Sequence, residues 1–178
     1  MFLFTCFLST TIKFAFEATS SFNHYTFHQT MMAISKHVDG FYISTDKNKL
    51  DVDSIHDYLS KKAYWSLNIP KDRVQKAIEN SLCFGVYKND EQVGFARVIS
   101  DFSTIAYLGD VYILEHYRGK GLSKWLMETV MTHPELQGLR RWILLTGDAH
   151  ELYRKFGWTD IAAPEKWMEL YNKNVYPK

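Results

Sequence analysis

The chain has 178 residues, 46% of them hydrophobic, and a formal net charge of +1. That length suits one domain with a full core, and the near balance of charge gives no reason to expect nucleic acid or an anionic membrane as partner. The cysteines, Cys6 and Cys83, and the histidines form neither a disulfide framework nor a metal-ligand spacing, so a reducing cytoplasm and no metal are expected.

Residues 1–31 read as a leader outside the domain. Met1 to Phe16 is apolar, but Thr, Ser and Lys13 interrupt it too often for a bilayer span. It also lacks the basic start and the small-residue cleavage site of a secretory signal. Met31-Met32 directly precedes the patterned part of the chain, which suggests an upstream-extended start. Residues 32–178 are expected to form the single domain.

Phe41 to Thr45 reads as a first strand. Asp53 or Ser54 is placed to cap a helix carrying Ile55, Tyr58 and Leu59, and Pro70 to open a second helix that runs to about Asn80. Between them stand Tyr64 and Trp65, which by themselves read as core aromatics. Ser81–Tyr87 and Gln92–Ser100 read as a hairpin around Lys88 to Glu91. A period of two would put Val93, Phe95, Arg97 and Ile99 on one face. An arginine in that series needs a carboxylate partner or faces a ligand, and Asp101 and Asp110 are the nearest acids.

Ile105 to Leu114 reads as a central strand buried on both faces. It leads through His116-Tyr117-Arg118-Gly119-Lys120-Gly121 into a helix with Leu122, Trp125, Leu126 and Val130 on one stripe. Two closely spaced glycines between a strand and a helix start let backbone N–H groups turn toward an anion, with Arg118 and Lys120 adding charge. A P-loop would need Ser or Thr after Gly119-Lys120, where Gly121 stands, and a dinucleotide fingerprint would need glycine at Lys124. Downstream, Trp142 to Thr146 reads as another strand. It is followed by a helix with Ala149, Leu152 and Tyr153, with Asp148 as its cap and Gly157 as its stop. Ile161 to Met168 reads as a loop and a last edge strand.

His116-x-x-Gly119-x-Gly121 and the later Ala149…Leu152-Tyr153…Gly157-Trp158 together resemble the GNAT superfamily of acyl-CoA-dependent N-acyltransferases, over roughly Gly40 to Trp158. The resemblance implies an α+β fold of order β-α-α-β-β-β-α-β-α. Its mostly antiparallel central sheet would be splayed between strands four and five, with helices on both sides and acyl-CoA in the gap. It further implies transfer of an acetyl group from acetyl-CoA to a primary amine, most simply of a small molecule, by direct attack in a ternary complex. A non-catalytic acyl-CoA-binding protein of the same fold is the alternative, and a homodimer is left open.

On that resemblance the diphosphate would be held by backbone N–H groups from Arg118, Gly119, Lys120, Gly121, Leu122 and Ser123. The pantetheine arm would pair with Ile113 and Leu114, near Thr146, which stands where many relatives have asparagine. A bulge near Val111 to Ile113 would supply an oxyanion donor. Tyr153 would be the general acid and Asp110 a candidate base, with Glu115 and His116 as rivals and an Asp110–Arg97 ion pair as the structural alternative. Tyr64, Trp65 and Arg97 would face the acceptor.

Overall fold

Why the chain splits its sheet is legible in the pairing of its strands. In the computed structural model the described residues are 35, 36 and 38–176, and the expected leader, residues 1–31, lies outside them. Six strands lie in the order in which they occur: β1 (Ser35–Lys36), β2 (Phe41–Ser44), β3 (Leu82–Lys88), β4 (Glu91–Ser100), β5 (Ile105–Ile113) and β6 (Arg141–Leu144). All neighbours are antiparallel except β5 and β6, which run parallel. The mixed α+β class and the order of elements agree with the sequence reading, with the two-residue β1 as an addition. Parallel pairing covers only Ile105–Leu108 against Arg141–Leu144. Beyond it the strands part, and Gly109–Ile113 has no strand among the described residues on that side.

Among the described residues four α-helices accompany the sheet: α1 (Val52–Lys61), α2 (Lys71–Glu79), α3 (Leu122–Met131) and α4 (His150–Arg154). Helix α1 is capped by Asp51, upstream of the expected Asp53 or Ser54: its carboxylate accepts from the Ser54 N–H at 2.9 Å and from the Ser54 hydroxyl at 2.7 Å. Pro70 opens α2 as expected, its fixed φ suiting a helix start.

The sheet is covered on both faces. Leu122, Leu126, Met127 and Val130 of α3 are buried in one cluster with Phe84, Val98 and Leu108. Ile55 and Leu59 of α1 and Val74 and Ile78 of α2 form another with Phe95 and Tyr112. Burial of this kind, about 1.5–3 kcal/mol per large apolar side chain, is what holds both layers. One expectation fails here. Val93 belongs to the α3 cluster while Phe95 belongs to the α1/α2 cluster. The cause is a bulge: Gln92 opposes Tyr87 and Gly94 opposes Val86, so Val93 is an extra residue that shifts the phase of alternation. The expected last strand near Ile161 to Met168 is also absent. That segment is irregular, with one 3-10 turn at Pro164–Lys166, because Pro164 lacks the N–H a ladder needs.

No helix among the described residues is long and apolar enough to cross a membrane. No group of His, Cys, Asp and Glu among them is arranged to hold a metal.

Candidate active site

After β5 the chain makes a 3-10 turn at Glu115–Tyr117 and enters the loop Arg118–Gly121. Gly119 and Gly121 have φ of 78° and 80°, the left-handed region in which a side chain is strained. Gly121 is the N-cap of α3 and offers no side-chain acceptor, so the first-turn N–H groups of Leu122 and Ser123 are left for another partner. A methyl group added at Gly119 or Gly121 would meet nothing within 4 Å, so the space in front of the loop is clear. Lys120 is exposed and lies over the Tyr117 ring at 5.2 Å.

Arg118 is placed differently from the sequence reading. Its backbone N–H donates to Glu115 O at 3.1 Å. Its Nε donates to Ile113 O at 3.1 Å and its Nη2 to Tyr58 Oη at 3.3 Å. The guanidinium therefore fastens the loop to the end of β5. His116, the loop's first motif residue, sits 3.9 Å from Glu91 and is exposed.

β5 itself carries a bulge. Phe95 opposes Tyr112 and Arg97 opposes Gly109, so Ala96 faces both Asp110 and Val111. Asp110 adopts φ 54°, a region that Asp tolerates better than β-branched or apolar residues. Leu114 N–H donates to Val93 O at 2.9 Å, which makes Ile113 and Gly94 a non-hydrogen-bonded pair. Ile113's own N–H and C=O then point away from β4, toward the side where β6 has parted. Of the two residues expected to offer free backbone, Ile113 retains its N–H, while the Leu114 N–H is engaged within the sheet.

Three of the expected acceptor-side residues come together on this bulge. Arg97 Nε donates to Asp110 Oδ2 at 2.7 Å, with only 15% and 13% of the two side chains exposed. Arg97 Nη1 donates to Ser81 Oγ at 3.1 Å, and Trp65 Nε1 donates to Asp110 Oδ1 at 3.2 Å. The ion pair set out above as the structural alternative is thus present. Tyr64 stands edge-on to Trp65, and its hydroxyl accepts from the Gly147 N–H at 2.7 Å. Neither aromatic is a core residue; both are exposed. Sequence reasoning missed Ser81 and Gly147, because neither carries a motif and each is tied to the site only through the fold.

Tyr153 is buried in the α3 cluster at 8% exposure. Burial first, and the Asp148 carboxylate second, push its hydroxyl up to about 12. That hydroxyl makes no hydrogen bond to the described residues. The helix that carries it, α4, starts at Ala149 without a side-chain cap. Thr146 takes the role expected of Asp148: its Oγ1 accepts from the Ala149 N–H at 3.0 Å and from the Asp148 N–H at 3.4 Å. Gly157 ends the segment at φ 82°, as read from sequence. A cavity of about 470 Å³ is lined by Tyr153, Thr146, Leu145 and Trp158 among others. A second, of about 660 Å³, lies between β6 and the Thr159–Met168 segment, and neither cavity touches Asp110 or the glycine loop. The first is the one we take as site-related, because it holds Tyr153 and Thr146.

The model of the acetyltransferase (GNAT) family matches residues 52–158. A protein of Gibberella zeae named "Putative acetyltransferase FG08082" is 35% identical over 137 residues, which is 65% of this chain and 76% of that protein. A crystal structure from Xanthomonas campestris pv. campestris, described as belonging to the GNAT family, superposes with a TM-score of 0.76 at 50% identity, over 78% of this chain and 97% of that one. A Clostridium acetobutylicum structure determined with acetyl-CoA has a TM-score of 0.57 at 16% identity, over 74% of this chain and 94% of that one, a likeness of fold.

Proposed function

The chain belongs to the acetyltransferase (GNAT) family and is an acyltransferase, and from that premise we propose that it moves an acetyl group from acetyl-CoA to the primary amine of a small-molecule acceptor in a ternary complex. The observation that carries the reading is the loop: two left-handed glycines with open space before them, set directly on the start of a ten-residue helix. Unpaired amides and the positive end of the helix favour a diphosphate there.

The rest of the reaction follows along β5. The pantetheine arm lies in the split, where the Ile113 N–H is turned outward, and Thr146 borders it from the β6 side. The bulge at Asp110 and Val111 turns backbone amides toward the thioester, where one donor to the developing oxyanion is worth about 3–4 kcal/mol of barrier. The acceptor ammonium releases a proton through Asp110 Oδ1, the carboxylate oxygen that does not face Arg97. The free amine then attacks the carbonyl carbon, a C–N bond forms and the C–S bond breaks. The departing thiolate takes a proton from the Tyr153 hydroxyl, and the second proton that the acylated nitrogen sheds returns to the Tyr153 oxygen, leaving neutral amide and free thiol. A hydroxyl held near 12 stays protonated at neutral pH and has no competing acceptor among the described residues, so it is available to donate.

Calorimetry with acetyl-CoA, followed by thiol release over a panel of primary amines, tests this. The expected result is saturable binding and amine-stimulated release. Binding without release for any amine would support the non-catalytic alternative, and no binding would remove the assignment of the loop.

A further inference from the structure

Resting on the reading above, the geometry points to Trp65 as the residue that decides which acceptors enter: its indole N–H occupies the place on Asp110 that the acceptor nitrogen takes, and the acceptor binds by displacing it. Asp110 has two oxygens with unlike partners. Oδ2 faces Arg97 at 2.7 Å, and Arg97 is itself fixed by Ser81. Oδ1 has the Trp65 indole, a neutral donor at the longer distance of 3.2 Å. With a charge on the acceptor alone and a longer distance, it is the weaker of the two, and it is the one an incoming N–H can replace.

The two ends of that bond also differ in freedom. The Asp110 side chain is 13% exposed, whereas Trp65 is 43% exposed and lies in the turn between α1 and α2. The turn is anchored around Trp65. Ser66 Oγ donates to Leu59 O at 2.8 Å, Asn68 N–H donates to Ser60 O at 2.9 Å, and Tyr64 holds Gly147. The indole can therefore leave Asp110 without the loop unfolding. Behind it lies a cavity of about 140 Å³, to which Leu59, Ile69, Val74 and Phe95 contribute apolar wall.

These features define the acceptor class. Arg97 compensates the charge of Asp110, so the site does not reward a second cationic group, and the apolar wall suits a compact hydrocarbon body. The acceptor is a small primary monoamine with an apolar body, bound at Asp110 through its amine N–H.

Benzylamine, isobutylamine and spermidine serve as probes, with wild type and Trp65→Phe, which keeps an aromatic ring and removes the indole N–H. The monoamines are expected to release thiol more efficiently than spermidine. In Trp65→Phe the KM for the accepted monoamine is expected to fall about 3- to 10-fold, the factor one net hydrogen bond corresponds to. The Kd for acetyl-CoA is expected to stay within about twofold, the diphosphate being held by the glycine loop. A residue that only supported the wall would leave KM unchanged or raise it, and either result overturns the displacement. Preference for spermidine overturns the acceptor class. Bound acetyl-CoA with no release from any of the three amines overturns this inference together with the enzymatic reading beneath it.

Discussion

The Tyr64 hydroxyl accepts a hydrogen bond from the Gly147 amide at 2.7 Å, joining the turn after α1 to the turn before α4 on the far side of the split between β5 and β6. A Cβ built on Gly147 would lie 2.9 Å from that hydroxyl. Two different substitutions should therefore break the same tie. Tyr64→Phe removes the acceptor, and Gly147→Ala pushes the ring away. Each is expected to raise the KM for the amine about 3- to 10-fold, a loss of roughly one hydrogen bond. The double variant should cost no more than either single one, since interacting sites are not additive. Additive effects in steady-state kinetics would show that the two residues act separately.

Tyr153→Phe is expected to lower kcat by about 10²- to 10⁴-fold, the usual share of one general acid, while the Kd for acetyl-CoA stays near wild type. Since the hydroxyl is raised to about 12, the donor form persists across the ordinary assay range. The kcat profile should accordingly show no alkaline limb from this residue below about pH 11. Stopped-assay rates from neutral to pH 10 would test this, and a fall that vanishes in the Phe variant would contradict it.

The two glycines give a cleaner test of the cofactor loop than its cations do. At φ 80° Gly121 resists any side chain, yet the space around it is empty, so Gly121→Ala should strain the backbone without a clash. A cost of about 1–2 kcal/mol follows for a residue forced into the left-handed region. Acetyl-CoA affinity measured by calorimetry should fall about 5- to 30-fold if the loop shifts to relieve the strain. Lys120→Ala should cost less, because its ammonium is exposed and screened.

Where the sequence was legible, the cause was local. The placement of the strands through β6, the Pro70 helix start and the Gly157 stop are short-range effects, and each appears in the fold. The glycine loop is equally local, since positive φ and glycine go together. What the sequence withheld depends on register or on distant partners. A single extra residue at Val93 reverses which face its neighbours point to, and nothing in the hydropathy of residues 92–94 announces it. Asp51 rather than Asp53 caps α1, because two acids within three positions satisfy the same pattern. Arg118 read as a phosphate cation, yet its length lets it reach back to Ile113 O. The Asp110–Arg97 pair was foreseeable as one of two options, and only the bulge that aims Asp110 at β4 selects it.

That pair carries its own prediction. Both side chains are mostly buried, so removing one charge leaves the other without its partner. Asp110→Asn keeps a residue tolerant of φ 54° and is expected to destabilise the fold by about 3–5 kcal/mol. Arg97→Met should cost a similar amount. The double variant should recover part of the sum, because no uncompensated charge is then buried. Urea midpoints for the four proteins would measure the coupling, and strict additivity would mean that the contact contributes nothing.

His133 should make stability depend on pH in a definite direction. It is 6% exposed, its Nδ1 is buried without a hydrogen-bond partner among the described residues, and its ring stands edge-on to Phe84 at 5.4 Å. Burial holds it below the usual value of 6.5, against a smaller opposing pull from Glu135. The unfolded chain then takes up a proton before the folded one does. The contribution is fully present above about pH 6.5 and is lost as pH falls from there through the lower folded value. Urea midpoints should decline between pH 7.5 and 5.5 in the wild type and decline less in His133→Leu, which removes the titrating ring and the unpaired nitrogen. Equal slopes for the two proteins would place the acid sensitivity in the carboxylates instead.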